Sequence, residues 1–146
     1  KTRSDRCSHI LPVDSLDEKL RELVPFGEKI VYTSRVKVSK PGWSMTSKDG
    51  YLVLTSSGVA FRAGKEESEK DIFEGYVPYT HMTGVKSKKG TVEFKVKDPE
   101  NPGEKPGWKL TVERCDGEDK GSFKRREELF GQTLQDLMKR WLAIYF

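Results

Sequence analysis

The chain has 146 residues, enough for one domain with its own core and too few for two of ordinary size. Charged side chains make up 34% of it, yet 27 basic and 23 acidic groups leave a net charge of only +4, so the charge forms a solvated surface and not a polycation. The longest apolar run, residues 141–146, falls far short of the roughly 18 residues of a membrane-spanning helix.

Opening on Lys1-Thr2-Arg3 without methionine or an apolar leader, the chain is expected to be a piece of a longer polypeptide, its downstream domains or complex subunits missing. Cys7 and Cys115 stand far apart with no Cys-x-x-Cys and no clustered histidine. That usage signals neither a zinc site nor a disulfide framework and points to a reduced, cytosolic setting.

Residues 1–13 mix charge, Ser, Cys and Pro without a period and read as a lead-in to a single domain over 14–146. Ser15-Leu16-Asp17-Glu18 then forms a capping box, and Leu16, Leu20 and Leu23 recur at helical spacing, which predicts a short helix over 14–23 stopped by Pro25 and Gly27. From there the period becomes two. Ile30, Tyr32, Val36 and Val38 alternate with polar residues in a first strand over 29–38, and Pro41-Gly42-Trp43 ends it. Two short apolar runs, Tyr51 to Thr55 and Gly58 to Arg62, flank Ser56-Ser57 as a hairpin. After a charged loop at 64–71, Tyr76-Val77-Pro78-Tyr79 resumes extended chain, with Pro78 arguing for an edge position because it cannot donate a ladder hydrogen bond. The segment around Val85 is a weak fifth strand. Thr91 to Lys97 alternates cleanly, the three-proline stretch from Asp98 to Pro106 is a loop, and Trp108 to Glu113 is a seventh strand.

The end of the chain carries the strongest periodicity. At 100° per residue Phe123, Phe130, Leu134, Leu137, Trp141 and Ile144 fall within about 60° of one meridian, while Lys124, Arg125, Gln132, Asp136, Lys139 and Arg140 point elsewhere. This predicts an amphipathic helix over 122–144. Seven short strands followed by one helix, without βαβ alternation, give a mainly β fold: an antiparallel sandwich or barrel closed by the helix.

That plan resembles the pleckstrin-homology superfold. Within it, Gly27-Glu28-Lys29-Ile30, then Gly50-Tyr51-Leu52-Val53-Leu54-Thr55, then Val59-Ala60-Phe61-Arg62 resemble the GLUE and GRAM branches, and Phe123 to Trp141 with its Lys139-Arg140-Trp141 ending is similar to the closing helix of the GLUE domain of the ESCRT-II complex. The resemblance implies a non-enzymatic adaptor of membrane trafficking that recognises ubiquitin or a ubiquitin-like protein and acidic lipid headgroups, cytoplasmic and peripheral at membranes. The alternative it implies is a GRAM-like phosphoinositide-binding domain without ubiquitin affinity.

Three groups of residues are candidate sites. Lys37, Lys40 and Lys48 bracket Trp43 and Met45, so cations flank an aromatic ring and a thioether suited to a membrane interface; a solvated hairpin is the plainer reading. Lys86, Lys88 and Lys89 precede Gly90, and with Lys95 and Lys97 make five lysines against Glu93, an excess of +4 that suits an anionic headgroup or acidic peptide, or merely protects an edge strand. On the last helix Met138, Leu142 and Tyr145 lie on one flank of the buried stripe with Lys139 and Arg140 at their rim. The resemblance implies ubiquitin there; completing the core is the alternative. His9 and His81 stand alone, and no nucleophile, base and acid share a recognisable spacing. No catalysis, cofactor or metal is expected, and no nucleic-acid signature occurs.

Overall fold

The computed structural model describes residues 18–40, 47–64, 72–97 and 107–145, with side chains as far as Trp141. Helix α1 (Glu18–Leu23) is followed by seven strands, β1 (Ile30–Ser39), β2 (Ser47–Thr55), β3 (Gly58–Ala63), β4 (Phe73–Pro78), β5 (Met82–Lys88), β6 (Thr91–Val96) and β7 (Gly107–Val112), and by helix α2 (Lys120–Tyr145). The element order matches the periodicities, with shifted bounds: β1 moves by one residue, β2 starts four residues earlier at Ser47, β4 runs from Phe73 to Pro78 and leaves Tyr79 to a 3-10 turn, and α2 is longer by two residues at its start and one at its end. The lead-in at 1–13, the capping box except Glu18, the Pro41-Gly42-Trp43 stop, the charged loop at 64–71 except Gly64 and the proline loop at 98–106 lie outside the described residues.

All neighbouring strands are antiparallel, in the order β4-β3-β2-β1-β7-β6-β5. Pro78 therefore sits on an edge strand, as its missing N–H requires. A single 3-10 turn, Tyr79–His81, carries the chain from one edge strand to the other, so the sheet curls back on itself. Alternation sends Tyr32, Val36 and Val38 of β1 inward with Leu52, Leu54, Phe61, Phe94 and Leu110, and α2 closes this interior with Phe130, Leu134 and Leu137. Each such side chain contributes roughly 1.5–3 kcal/mol by leaving water.

Two glycines show how tightly the strands and α2 meet. A Cβ on Gly50 would lie 2.1 Å from the carbonyl oxygen of Arg62, so the backbone of β3 approaches where only glycine fits. Lys89 (φ 41°) and Gly90 (φ 78°) form the two-residue β5–β6 turn, both with positive φ as a type I′ hairpin demands.

The start of α2 is pinned by a buried charge that lies on the helix's own apolar stripe. Arg126, 2% exposed, donates Nε to Glu118 Oε2 and Nη2 to Glu118 Oε1, both at 2.8 Å, and Nη1 to Ser34 Oγ at 2.7 Å. Its Nη2 also donates to the carbonyl of Glu113. Burial alone would raise the pKa of Glu118; hydrogen bonding and attraction from Arg126 outweigh it and hold the carboxyl below its ordinary value. At the far end Trp141 Nε1 donates to the carbonyl of Ser56 at 2.7 Å, fastening the helix to the β2–β3 turn.

Candidate functional site

The register brings the ends of β1, β3 and β6 and the starts of β2, β4 and β7 to one end of the sheet, here called the open end, where Ser39 faces Ser47 and Lys109, and Ala63 faces Phe73. The inward-facing aromatics there form a cluster: Phe61 and Trp108 have ring centroids 4.8 Å apart, and Phe73 packs edge-on at 5.7 Å from Trp108. Lys40 and Lys48, inward by the parity of their strands, end on this cluster. Lys40 Nζ stands 5.0 Å from the Trp108 centroid and 5.1 Å from Phe73, and Lys48 Nζ stands 5.1 Å from Phe73. Each ring face attracts an ammonium by about 0.5–1 kcal/mol at a partly exposed site, so the two cations are held in place at the mouth of the fold. The geometry supplies positive charge for an anion.

Three lysines adjacent in the sequence argument therefore divide. Lys37 differs from Lys40 in parity, and its exposed side chain lies on the opposite, outer face, across from Asp49 and Thr111. Trp43 lies outside the described residues. Lys86, Lys88 and Lys89 are exposed at the β5–β6 turn, away from the aromatic cluster, because β5 runs from its pairing with Val96 back toward Thr91. Glu93 faces Lys86 across the ladder, and a Cβ on Gly90 would meet Glu127 Cγ at 2.9 Å, so two carboxylates flank these lysines.

On α2, Met138 is half-buried and packs against the main core, while Lys139 and Arg140 are exposed. The side chains of Leu142 and Tyr145 lie outside the described residues.

A polar cluster that sequence reasoning missed sits at the β2–β3 turn. Glu28 Oε1 accepts from Thr55 Oγ1 at 3.0 Å, Ser56 Oγ at 3.2 Å and the Ser57 amide at 2.9 Å, and also from Ser57 Oγ, which contacts Tyr76 OH at 2.5 Å. Hydrogen bonding from Ser57 above all, with Thr55 and Ser56 behind it, holds the Glu28 carboxyl below its ordinary pKa. It is a satisfied anion and not a base. The cluster's members Glu28 and Thr55 stand in the Gly27-Glu28 and Leu54-Thr55 pairs, 27 residues apart in the chain. Arg126 was legible, since it falls about 40° from Phe130 on the apolar stripe of α2, where a cation requires a partner such as Glu118. Among the described residues no three His, Cys, Asp or Glu come together to hold a metal, and no helix is long and apolar enough to cross a membrane.

No family model and no curated protein sequence matches this chain. Solved structures do. The chain is similar to the DH/PH domains of PDZ-RhoGEF in complex with activated RhoA (TM-score 0.55, 9% identity, 87% of this chain and 35% of that one). It is also similar to the DH/PH domains of p115-RhoGEF (TM-score 0.50, 8% identity, 94% of this chain and 37% of that one). A third likeness is to the hSac2 domain of the human phosphoinositide phosphatase Sac2 (TM-score 0.50, 17% identity, 84% and 77%). The chain spans little more than a third of the RhoGEF chains it matches. Its seven antiparallel strands and C-terminal helix have the pleckstrin-homology-like fold.

Proposed function

We propose that residues 14–146 form one non-enzymatic interaction module that docks on anionic lipid headgroups through its open end, on the cytoplasmic surface of membranes and as part of a trafficking protein. The observation that carries this reading is the pair of ammonium groups, Lys40 and Lys48, held on Phe73 and Trp108. Cations fixed in advance lose little side-chain freedom when an anion arrives. The fold likeness to a domain of a phosphoinositide phosphatase supports the architecture and nothing finer.

Co-sedimentation with vesicles of phosphatidylcholine, phosphatidylserine and a phosphoinositide tests it. A surface lysine is worth about 1 kcal/mol near an anionic leaflet, so the double variant Lys40→Ala, Lys48→Ala is expected to bind roughly 30-fold more weakly. Unchanged binding removes the open end from the reading, and loss on Lys86→Glu, Lys88→Glu, Lys89→Glu instead moves the contact to the β5–β6 turn.

A second reading keeps ubiquitin or a ubiquitin-like partner at the end of α2, as in GLUE domains. Exposed Lys139 and Arg140, beside a Met138 whose other side packs on the core, supply the polar rim for it. Titration with ubiquitin is expected to shift amides in 134–146, and Leu142→Asp to abolish the shifts; silence there at high micromolar concentration leaves only the lipid reading.

A further inference from the structure

Half of the sheet's outer face is covered. α1 lays Leu20 against Val53 of β2 and Ala60 of β3, all three fully buried. Over β1, β7, β6 and β5 the same face carries no helix among the described residues, and the ladder sorts its residues into rows. One row reads Lys37, Thr111, Thr91, Lys88. The next reads Ser39, Lys109, Glu93, Lys86, and beyond it Lys95 lies between Gly107 and Thr83. Residues within a row stand about 5 Å apart and successive rows about 7 Å, the spacings of any sheet. Lys37, Lys86, Lys88, Lys95 and Lys109 are all exposed. Asp49 of β2 closes the first row opposite Lys37, so these rows hold five lysines against Glu93 and Asp49, an excess of +3.

We propose that this face binds an extended acidic segment of a partner protein, separately from the open end. Charge complementarity requires an anion, and the composition of the grid selects among anions. It bears no aromatic side chain, so single-stranded nucleic acid finds nothing to stack on. It bears no apolar side chain to enter a bilayer, and Glu93, placed between Lys109 and Lys86, opposes a uniformly negative surface. A peptide meets each of these features. Its alternate side chains repeat about every 7 Å, matching the row spacing, so carboxylates two residues apart reach lysines in successive rows. Its backbone N–H groups suit Glu93 and its carbonyls suit the threonine hydroxyls, of which Thr91 Oγ1 already donates to Thr111 Oγ1 at 3.3 Å.

The test is an NMR titration of the 146-residue chain with a twelve-residue peptide alternating Glu and Thr, beside the Gln and Thr analogue, phosphatidylserine vesicles and a twelve-nucleotide DNA strand. The acidic peptide is expected to shift the amides of Lys37, Thr91, Lys109 and Thr111 and to weaken steeply with salt, the Gln analogue to shift none. Lys88→Glu with Lys109→Glu is expected to weaken it at least about tenfold, whereas Lys124→Glu with Arg125→Glu, an equal charge change at exposed positions of α2, changes it less than about threefold. Equal losses from the two pairs, shifts confined to the open end, or tighter binding of DNA or vesicles to this face each overturn the proposal. Melting temperatures of both pairs show that the fold is intact.

Discussion

Over β2 and β3 the outer surface of the sheet is built like an interior, and over β6 and β7 it is built like an exterior. Leu52, Val53 and Leu54 are buried in succession, as are Val59, Ala60 and Phe61, because one face looks into the core and the other meets α1. Val92, Phe94, Leu110 and Val112 are instead separated by Glu93, Lys109, Thr111 and their neighbours, which face out. Strands apolar on both faces read as continuous runs, whereas strands with one wet face alternate. The contrast between the Tyr51 to Thr55 run and the Thr91 to Lys97 alternation is thus the record, in sequence, of which half of the sheet is covered by its own chain.

The largest effect lies on the covered half. Leu20→Ala removes the side chain that α1 buries against Val53 and Ala60, and is expected to cost about 2–5 kcal/mol of unfolding free energy in urea. A cost under about 1 kcal/mol would mean that α1 is an ornament on the sheet and that its face is as free as the other.

Next comes Glu28, which ties the chain leaving α1 to the β2–β3 turn. Glu28→Gln keeps the shape and loses the charge that Ser57, Thr55 and Ser56 hydrogen-bond, an expected loss of about 1–3 kcal/mol at neutral pH. The folded carboxyl titrates below its unfolded value of 4.5, so its stabilisation is present above that pH and is lost as pH falls through the folded pKa. Acid denaturation of the variant is expected to be shallower below pH 4.5. An identical slope would show that Glu28 is not held as an anion.

How far this was legible follows from what each inference required. Strand identity and the closing helix needed only local period, and both were readable. Placement of side chains on a face needed parity, which is why Lys40 and Lys48 come together while Lys37, three residues before Lys40, goes to the other side. Grouping Lys37 and Lys109 with Lys86, Lys88 and Lys95 needed register across four strands, including the irregular step between Thr83 and Lys86. No local period carries that information. Residue counting grouped Lys86 to Lys97 as one basic stretch; the ladder keeps Lys86, Lys88 and Lys95, adds Lys37 and Lys109, and turns a stretch into a surface.

Glu113 marks the boundary of the bare half and should behave in the opposite sense to Glu28. Burial first, and then the neighbouring Asp49 as hydrogen-bond partner and like charge, push its carboxyl above the ordinary value against the pull of Lys37 and Arg35. The unfolded chain then releases this proton at lower pH than the folded one, so the group withdraws stability as pH rises from 4.5 through the folded pKa. Glu113→Gln is expected to gain on the wild type across that window and to hold its gain at pH 7, read as a difference between two urea midpoints at each pH. A constant difference from pH 4 to pH 7 rejects the shift.

The smallest effect on the fold belongs to the lysine grid itself. If α1 and the grid were equivalent parts of one scaffold, removing Lys88 and Lys109 together would destabilise as removing Leu20 does. Their side chains are exposed, and the attraction of exposed lysines to a cross-strand neighbour such as Glu93 is worth little after screening. Lys88→Ser with Lys109→Ser is therefore expected to change stability by less than about 0.5 kcal/mol, with relief of repulsion among the remaining lysines offsetting the lost attraction to Glu93. The same double variant is expected to lose the acidic peptide. Five exposed lysines that the fold does not need, gathered on one face by register, are then accounted for by binding; a loss of 2 kcal/mol or more in urea would instead make the grid a structural element and close the difference between the two halves of the sheet.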